Sequence, residues 1–155
     1  MSKHTEDEVV ADLLGAIRSY ARCRKSEVLR YQLERDYGKL VFPDKVDPGL
    51  IPASLEALKA ACALGGKKRT HSNMVHAGLA FEHMVPLSVL GDMLIGAAGD
   101  LDKIKKILRD YYQICWVTKK EDSELTRIGL KSKMPGGWTP GCPADARYKM
   151  AGIAF

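Results

Sequence analysis

The sequence predicts a mainly helical α+β domain, with an N-terminal helical layer packed on a strand–strand–helix unit. Three observations lead there. Apolar residues recur at helical spacing through much of residues 1–66 and again between Val89 and Leu108. Leu79–Pro86 is an apolar run closed by a proline, and Tyr112–Thr118 is a β-rich run. The second run passes directly into Thr118-Lys119-Lys120-Glu121, a helix-start signal. The expected layout of the single 1–155 domain is a helical layer over 1–66, a strand–strand–helix unit with a helical insertion over 79–128, and a C-terminal loop and short helix over 129–155.

The first helix starts at a capping box, Thr5-Glu6-Asp7-Glu8, and runs over Glu6–Arg24 with Val9, Val10, Leu13, Leu14, Ile17 and Tyr20 on one side. Ser26 is read as the cap of a second helix reaching Asp36, stopped at Tyr37-Gly38. Leu40–Pro52, with three prolines and a glycine, is a loop carrying a short extended piece at Leu40-Val41-Phe42. Ser54 starts a third helix whose stripe is Leu55, Leu58, Ala61, Cys62 and Leu64, ended by Gly65-Gly66. Asn73–Pro86 reads as an extended segment or hairpin bent at Gly78. After Pro86 come two helices. One is built on Val89, Leu90, Met93 and Leu94, and the other is capped by Asp100 with Leu101, Ile104, Ile107 and Leu108 inward. A strand over Tyr112–Val117 and a helix over Lys119–Ile128 follow, the helix ended by Gly129. Lys131–Pro143 is a loop tied down by Trp138, and Ala144–Ala151 closes the chain as a short helix.

The 155 residues are enough to bury about two thirds of the unfolded surface in one domain. Net charge is +5, which favours an anionic partner. Cys23, Cys62, Cys115 and Cys142 have no CxxC spacing, so neither a zinc knuckle nor a redox pair is expected, and the implied compartment is reducing and cytoplasmic. The polar, acidic start lacks a signal-peptide pattern, and no apolar run reaches membrane-spanning length, so no membrane partner is expected. There is no P-loop, no Ser-His-Asp order and no internal repeat.

The chemistry concentrates at Glu82-His83. Metal-assisted phosphodiester cleavage needs a base for water, a divalent cation to stabilise developing charge, and fixed ligands for that cation. Histidine titrates near neutrality and suits the base. Neighbours on a regular strand point to opposite faces, so this pair serves one site only where the strand ends or kinks, and Pro86 supplies a reason for such a departure. The plainer alternative is a salt-bridged strand end.

Glu82-His83-Met84-Val85-Pro86-Leu87-Ser88 resembles the first motif of the HNH, or His-Me finger, endonucleases, and the similarity extends over about Leu79–Ile128. The resemblance implies a ββα-metal finger and a metal-dependent DNA endonuclease of bacterial or phage origin. It makes His83 the general base and Glu82 a metal ligand. The remaining ligand is expected in the first turns of the following helix, where Glu121 and Asp122 stand, with Lys119 and Lys120 on phosphate. The chain departs from the family in lacking both the asparagine between the strands and the histidine on the final helix. An aspartate at that place favours Mg2+ or Mn2+ over zinc. Ser132–Trp138 together with Ala146-Arg147-Tyr148 looks like an accessory segment seen after such fingers in bacterial and phage proteins.

Glu121 and Asp122 lie about 100° apart on a helix, so one of them faces the strand. Glu121 has a competing duty in the capping box, which leaves Asp122 as the expected ligand. Lys67-Lys68-Arg69 is the densest basic run and a further nucleic-acid contact, to DNA or alternatively RNA. His76 is a weaker ligand candidate, His71 a phosphate or solvent contact, and His4 has no implied role. Trp116 is expected in the core, and Trp138 over the glycine-rich loop rather than stacked on a base. Two other classes compete with the enzyme: a nucleic-acid-binding protein that keeps the finger as a scaffold, and a helical interaction domain in which Glu82-His83 is structural.

Overall fold

The computed structural model describes residues 5–41 and 51–155. His4, and the part of the expected loop from Phe42 to Leu50, lie outside the described residues. The fold is α+β and mainly helical, with one antiparallel two-stranded sheet. The chain divides into two compact units, residues 1–43 with 87–112, and residues 44–86 with 113–155. The units do not follow the expected boundary at 66, because the Ser54-capped helix belongs with the strands. The helices inserted between the strands belong with the N-terminal ones.

In the first unit, α1 (Glu6–Cys23) begins at a complete Thr5/Glu8 capping box and buries Val9, Val10, Leu13, Ile17 and Tyr20. Then α2 (Ser26–Gln32) runs without a break through a π-helical stretch, Leu33–Tyr37, into α3 (Gly38–Val41). Two expectations fail here. Ser26 is the first helical residue rather than the cap, and Gly38 continues the helix at φ −60° instead of ending it. Space explains this glycine: a Cβ on it would lie 3.0 Å from the Leu33 carbonyl oxygen and 3.1 Å from the Tyr112 hydroxyl. Leu40-Val41 is accordingly helical, not extended.

The unit is completed by α6 (Leu87–Gly96) and α7 (Leu101–Tyr111). Of the four residues expected inward on α7, Ile104 and Leu108 are buried, Ile107 is half-buried and Leu101 is exposed. Gly91 permits close approach of α6 to α1, since a Cβ there would meet the Tyr20 ring at 2.3 Å.

In the second unit, α4 (Leu55–Cys62) is N-capped by Ser54, whose hydroxyl accepts from the Ala57 N–H. Its buried pair is Ala57 and Ala61, while Leu55 and Leu58 are exposed, so the expected leucine stripe is not the inner face. Small side chains suit the packing of this helix on β2. The expected hairpin over Asn73–Pro86 is instead a short helix, α5 (His71–His76), capped by Thr70, followed by Gly78 at φ +85° and a single strand, β1 (Leu79–His83).

Strand β1 pairs antiparallel with β2 (Ile114–Thr118), with Glu82 opposite Cys115 and His83 opposite Ile114. On its other edge, β2 meets the chain at Ala53: Trp116 N–H donates to the Pro52 carbonyl and Ser54 N–H to the Trp116 carbonyl, both at 2.9 Å. Helix α8 (Lys119–Arg127) follows β2 directly, and α9 (Ala146–Met150) lies near the C-terminus. Met84, Cys115, Val117, Leu125, Leu130, Tyr148 and Ile153 form the core cluster that joins strands, α8 and the C-terminal segment.

Candidate functional site

The site is built at the end of β1 and the first turns of α8. Thr118 caps α8 with both halves of a capping box present. One oxygen of Glu121 does most of this work. Its Oε2 accepts from the Thr118 N–H at 2.7 Å, from the Thr118 hydroxyl at 3.1 Å and from the buried Ser54 hydroxyl at 2.7 Å. Glu121 therefore binds α8 to the start of α4.

Asp122 is the carboxylate that meets β1. Glu82 and Asp122 converge on one cation, the Lys131 ammonium, which lies 2.8 Å from Glu82 Oε1 and also pairs with Asp122 Oδ1. Burial works against the Lys131 charge, but its hydrogen bonds to Asp122 and Glu82 outweigh that and hold its pKa above the ordinary lysine value. The lysine reaches this place because of how α8 ends. Gly129 at φ +74° turns the chain, with Gly129 N–H bonded to the Thr126 carbonyl and Leu130 N–H to the Leu125 carbonyl. That pair of bonds is the Schellman arrangement.

A second cation backs the first. Arg147 is only 1% exposed. Its Nε donates to the Met84 carbonyl, and its Nη1 to the Leu130 and Lys131 carbonyls, each at 2.9 Å. Its Nη2 reaches the His83 carbonyl at 2.5 Å, the Tyr148 hydroxyl at 3.0 Å and Glu82 Oε2 at 3.4 Å. A buried guanidinium is tolerable only when its donors are satisfied and a negative charge is close, and both conditions hold here. Arg147 thereby fixes the end of β1 against the segment that carries Lys131.

The structure does not bring His83 to the same face. Strand β1 ends at His83 but stays paired through it, so the two-residue alternation separates the pair. Glu82 lies over Cys115 toward Arg147. His83 shares the opposite face with Phe81, its ring 6.4 Å from the Phe81 ring, while Phe81 meets Trp116 at 5.2 Å. The expectation that Glu82 and His83 together face the first turn of α8 is therefore corrected. His71 joins the His83 face, 5.6 Å from Trp116. His76 sits on α5, its Nδ1 2.7 Å from the Ser72 carbonyl of its own helix, and is no hairpin neighbour of His83.

Lys67, Lys68 and Arg69 are exposed on the segment between α4 and α5, and Lys119 and Lys120 are exposed on the first turn of α8. Cations at a helix N-terminus oppose the helix dipole, so these two lysines gain nothing locally from their position. Trp116 is fully buried, and the Trp138 indole N–H donates to the Pro143 carbonyl at 3.0 Å within its own loop. Sequence reasoning singled out neither Lys131 nor the contacts of Arg147. Its nearest signals were a lysine just past the helix-stop glycine and the Ala146-Arg147-Tyr148 segment.

Glu82 and Asp122 are the residues that would hold a hard divalent cation, in the place that the Lys131 ammonium takes here. Mg2+ commonly takes one or two carboxylates and completes its shell with water and phosphate oxygens. Among the described residues no three His, Cys, Asp or Glu side chains form a metal-binding group. No helix of the described residues is long and apolar enough to cross a membrane. No protein-family model, no curated protein and no solved structure matches the chain.

Proposed function

We propose that the chain is a metal-dependent endonuclease that hydrolyses phosphodiester bonds in DNA, as its resemblance to the His-Me finger endonucleases implies. One observation carries the reading: Glu82 of β1 and Asp122 of α8 lie close enough together to share one cation, which in this structure is the Lys131 ammonium. Strand, strand and helix stand in the order that the resemblance expects, and Glu121 is withdrawn by its capping role.

When bound, Mg2+ or Mn2+ stabilises negative charge developing on the phosphate and leaving oxygen. The chain's own residues do the rest. Glu82 and Asp122 would hold the cation. His83 accepts a proton from the water whose oxygen forms the new bond to phosphorus, while the bond from phosphorus to the leaving sugar oxygen breaks. His83 is on the other face of β1 from Glu82, so this role requires a substrate phosphate bound round the end of the strand. Arg147, on the His83 carbonyl, fixes that end. Lys119, Lys120, Lys67, Lys68 and Arg69 supply exposed positive charge for neighbouring phosphates.

Nicking of supercoiled plasmid tests the proposal. Wild type should nick with Mg2+ or Mn2+, EDTA should stop it, and His83→Ala should lower the rate by about 10²-fold or more with thermal stability kept. A His83→Ala protein that nicks at the wild-type rate would remove the base assignment.

A nucleic-acid-binding protein without catalysis is the second reading. Two observations favour it: the Lys131 ammonium stands between the two carboxylates, and His83 faces away from them. Such a protein would retain labelled DNA in a gel shift and leave plasmid uncut at every metal concentration.

A further inference from the structure

We propose that Lys131 is a tethered counter-cation that keeps a divalent ion away from Glu82 and Asp122 until a nucleic-acid phosphate draws it off, so that metal and nucleic acid bind cooperatively. The inference rests on the metal reading given above and concerns how that site is controlled.

Charge balance is the first ground. Glu82 and Asp122 are matched by Lys131 and Arg147, so the group is neutral as it stands. A divalent ion entering between the carboxylates while both cations stayed would face strong like-charge repulsion at short range. One cation must leave.

The structure distinguishes which. Arg147 is buried, and its donors are committed to four backbone carbonyls, the Tyr148 hydroxyl and Glu82. The Lys131 side chain is 43% exposed, its ammonium touches only the two carboxylates among the bonds of the described residues, and its stem is flexible. Lys131 moves and Arg147 stays.

The tether decides where it goes. The Lys131 carbonyl is held by Arg147 Nη1, and Leu130 before it is buried. The displaced ammonium therefore stays within side-chain reach of the site, where a phosphate oxygen of bound nucleic acid is the acceptor that replaces the lost carboxylates. Metal frees the lysine for phosphate, and phosphate removes the lysine from the metal's place. Linkage makes the two effects equal in size.

Isothermal titration of the full chain with Mn2+ tests this, alone and with a short phosphorothioate DNA oligonucleotide that resists cleavage. Without DNA, Lys131→Gln should bind Mn2+ about tenfold tighter than wild type, and Lys131→Arg, which keeps the charge, should stay near wild type. Adding the oligonucleotide should tighten Mn2+ binding about tenfold more in wild type than in Lys131→Gln, the excess being the part that the lysine contributes. Melting curves of all variants verify the fold. If Lys131→Gln binds Mn2+ no tighter than wild type while Asp122→Asn abolishes binding, the counter-cation role is overturned and the metal site stands. If Lys131→Arg behaves like Lys131→Gln, charge competition is overturned as the cause. If neither wild type nor Lys131→Gln binds Mn2+ even with DNA, the metal site falls, and the role of Lys131 falls with it.

Discussion

Arg147 is the residue on which the candidate site depends most. Truncating it would leave the Met84, His83, Leu130 and Lys131 carbonyls short of a donor and Glu82 short of its buried partner. Arg147→Met should destabilise the protein by about 3–5 kcal/mol in urea denaturation, since a buried charge network is broken from one side. Arg147→Lys should not restore it, because an ammonium cannot span acceptors arranged around a planar guanidinium. A variant within 1 kcal/mol of wild type by that measurement, about the worth of one ordinary hydrogen bond, would show that the network is not what holds this corner. Cysteine chemistry gives a second prediction at this scale. Burial pushes the Cys115 thiol up to about 12, whereas Cys23 and Cys62 are exposed. At pH 8, a thiol reagent should label Cys23 and Cys62 quickly and Cys115 only after unfolding. A raised folded-state value also fixes the sign of the pH effect. The contribution of Cys115 to stability is complete below the ordinary thiol value of about 8.5 and is lost as pH rises toward 12.

Among the elements, α8 shows what was legible in the sequence and what was not. Its start was readable because Thr118 and Glu121 meet three residues apart, and its end because Gly129 must adopt positive φ. The caps at Thr5, Ser54 and Asp100 were readable for the same local reason. Helix α5 was not, since His71–His76 is too short and polar to show an apolar period, and only the Thr70 cap marks it. The π-helical stretch was hidden too, because Gly38 answers to the Tyr112 hydroxyl, far away in the chain. Gly129→Ala tests the α8 terminus: the left-handed conformation should cost about 1–2 kcal/mol for alanine. The same substitution should disturb the placement of Lys131. An unchanged urea midpoint would mean that the turn is not fixed by that glycine.

Across the whole molecule, the α+β class with its helical majority was legible, because two short β-rich runs stand out against periodic helices. The grouping of the chain into units was not. Residues 87–112 interrupt the strands in sequence yet cluster with the N-terminal helices, a long-range outcome that no local pattern encodes. The candidate site divides along the same line. That Glu121 is taken up by the cap followed from a capping rule three residues long. Lys131 and Arg147 meet Glu82 across 49 and 65 residues, beyond the reach of any motif. His83 was misplaced because strand regularity prevailed over the nearby proline. The most direct test of the proposed metal site compares plasmid nicking by Asp122→Ala and Glu121→Ala, with stability measured on both. Asp122→Ala should lose nicking with little change in stability. Glu121→Ala should cost about 1 kcal/mol of fold through the cap and keep most of the nicking. Nicking lost in Glu121→Ala and kept in Asp122→Ala would contradict the site.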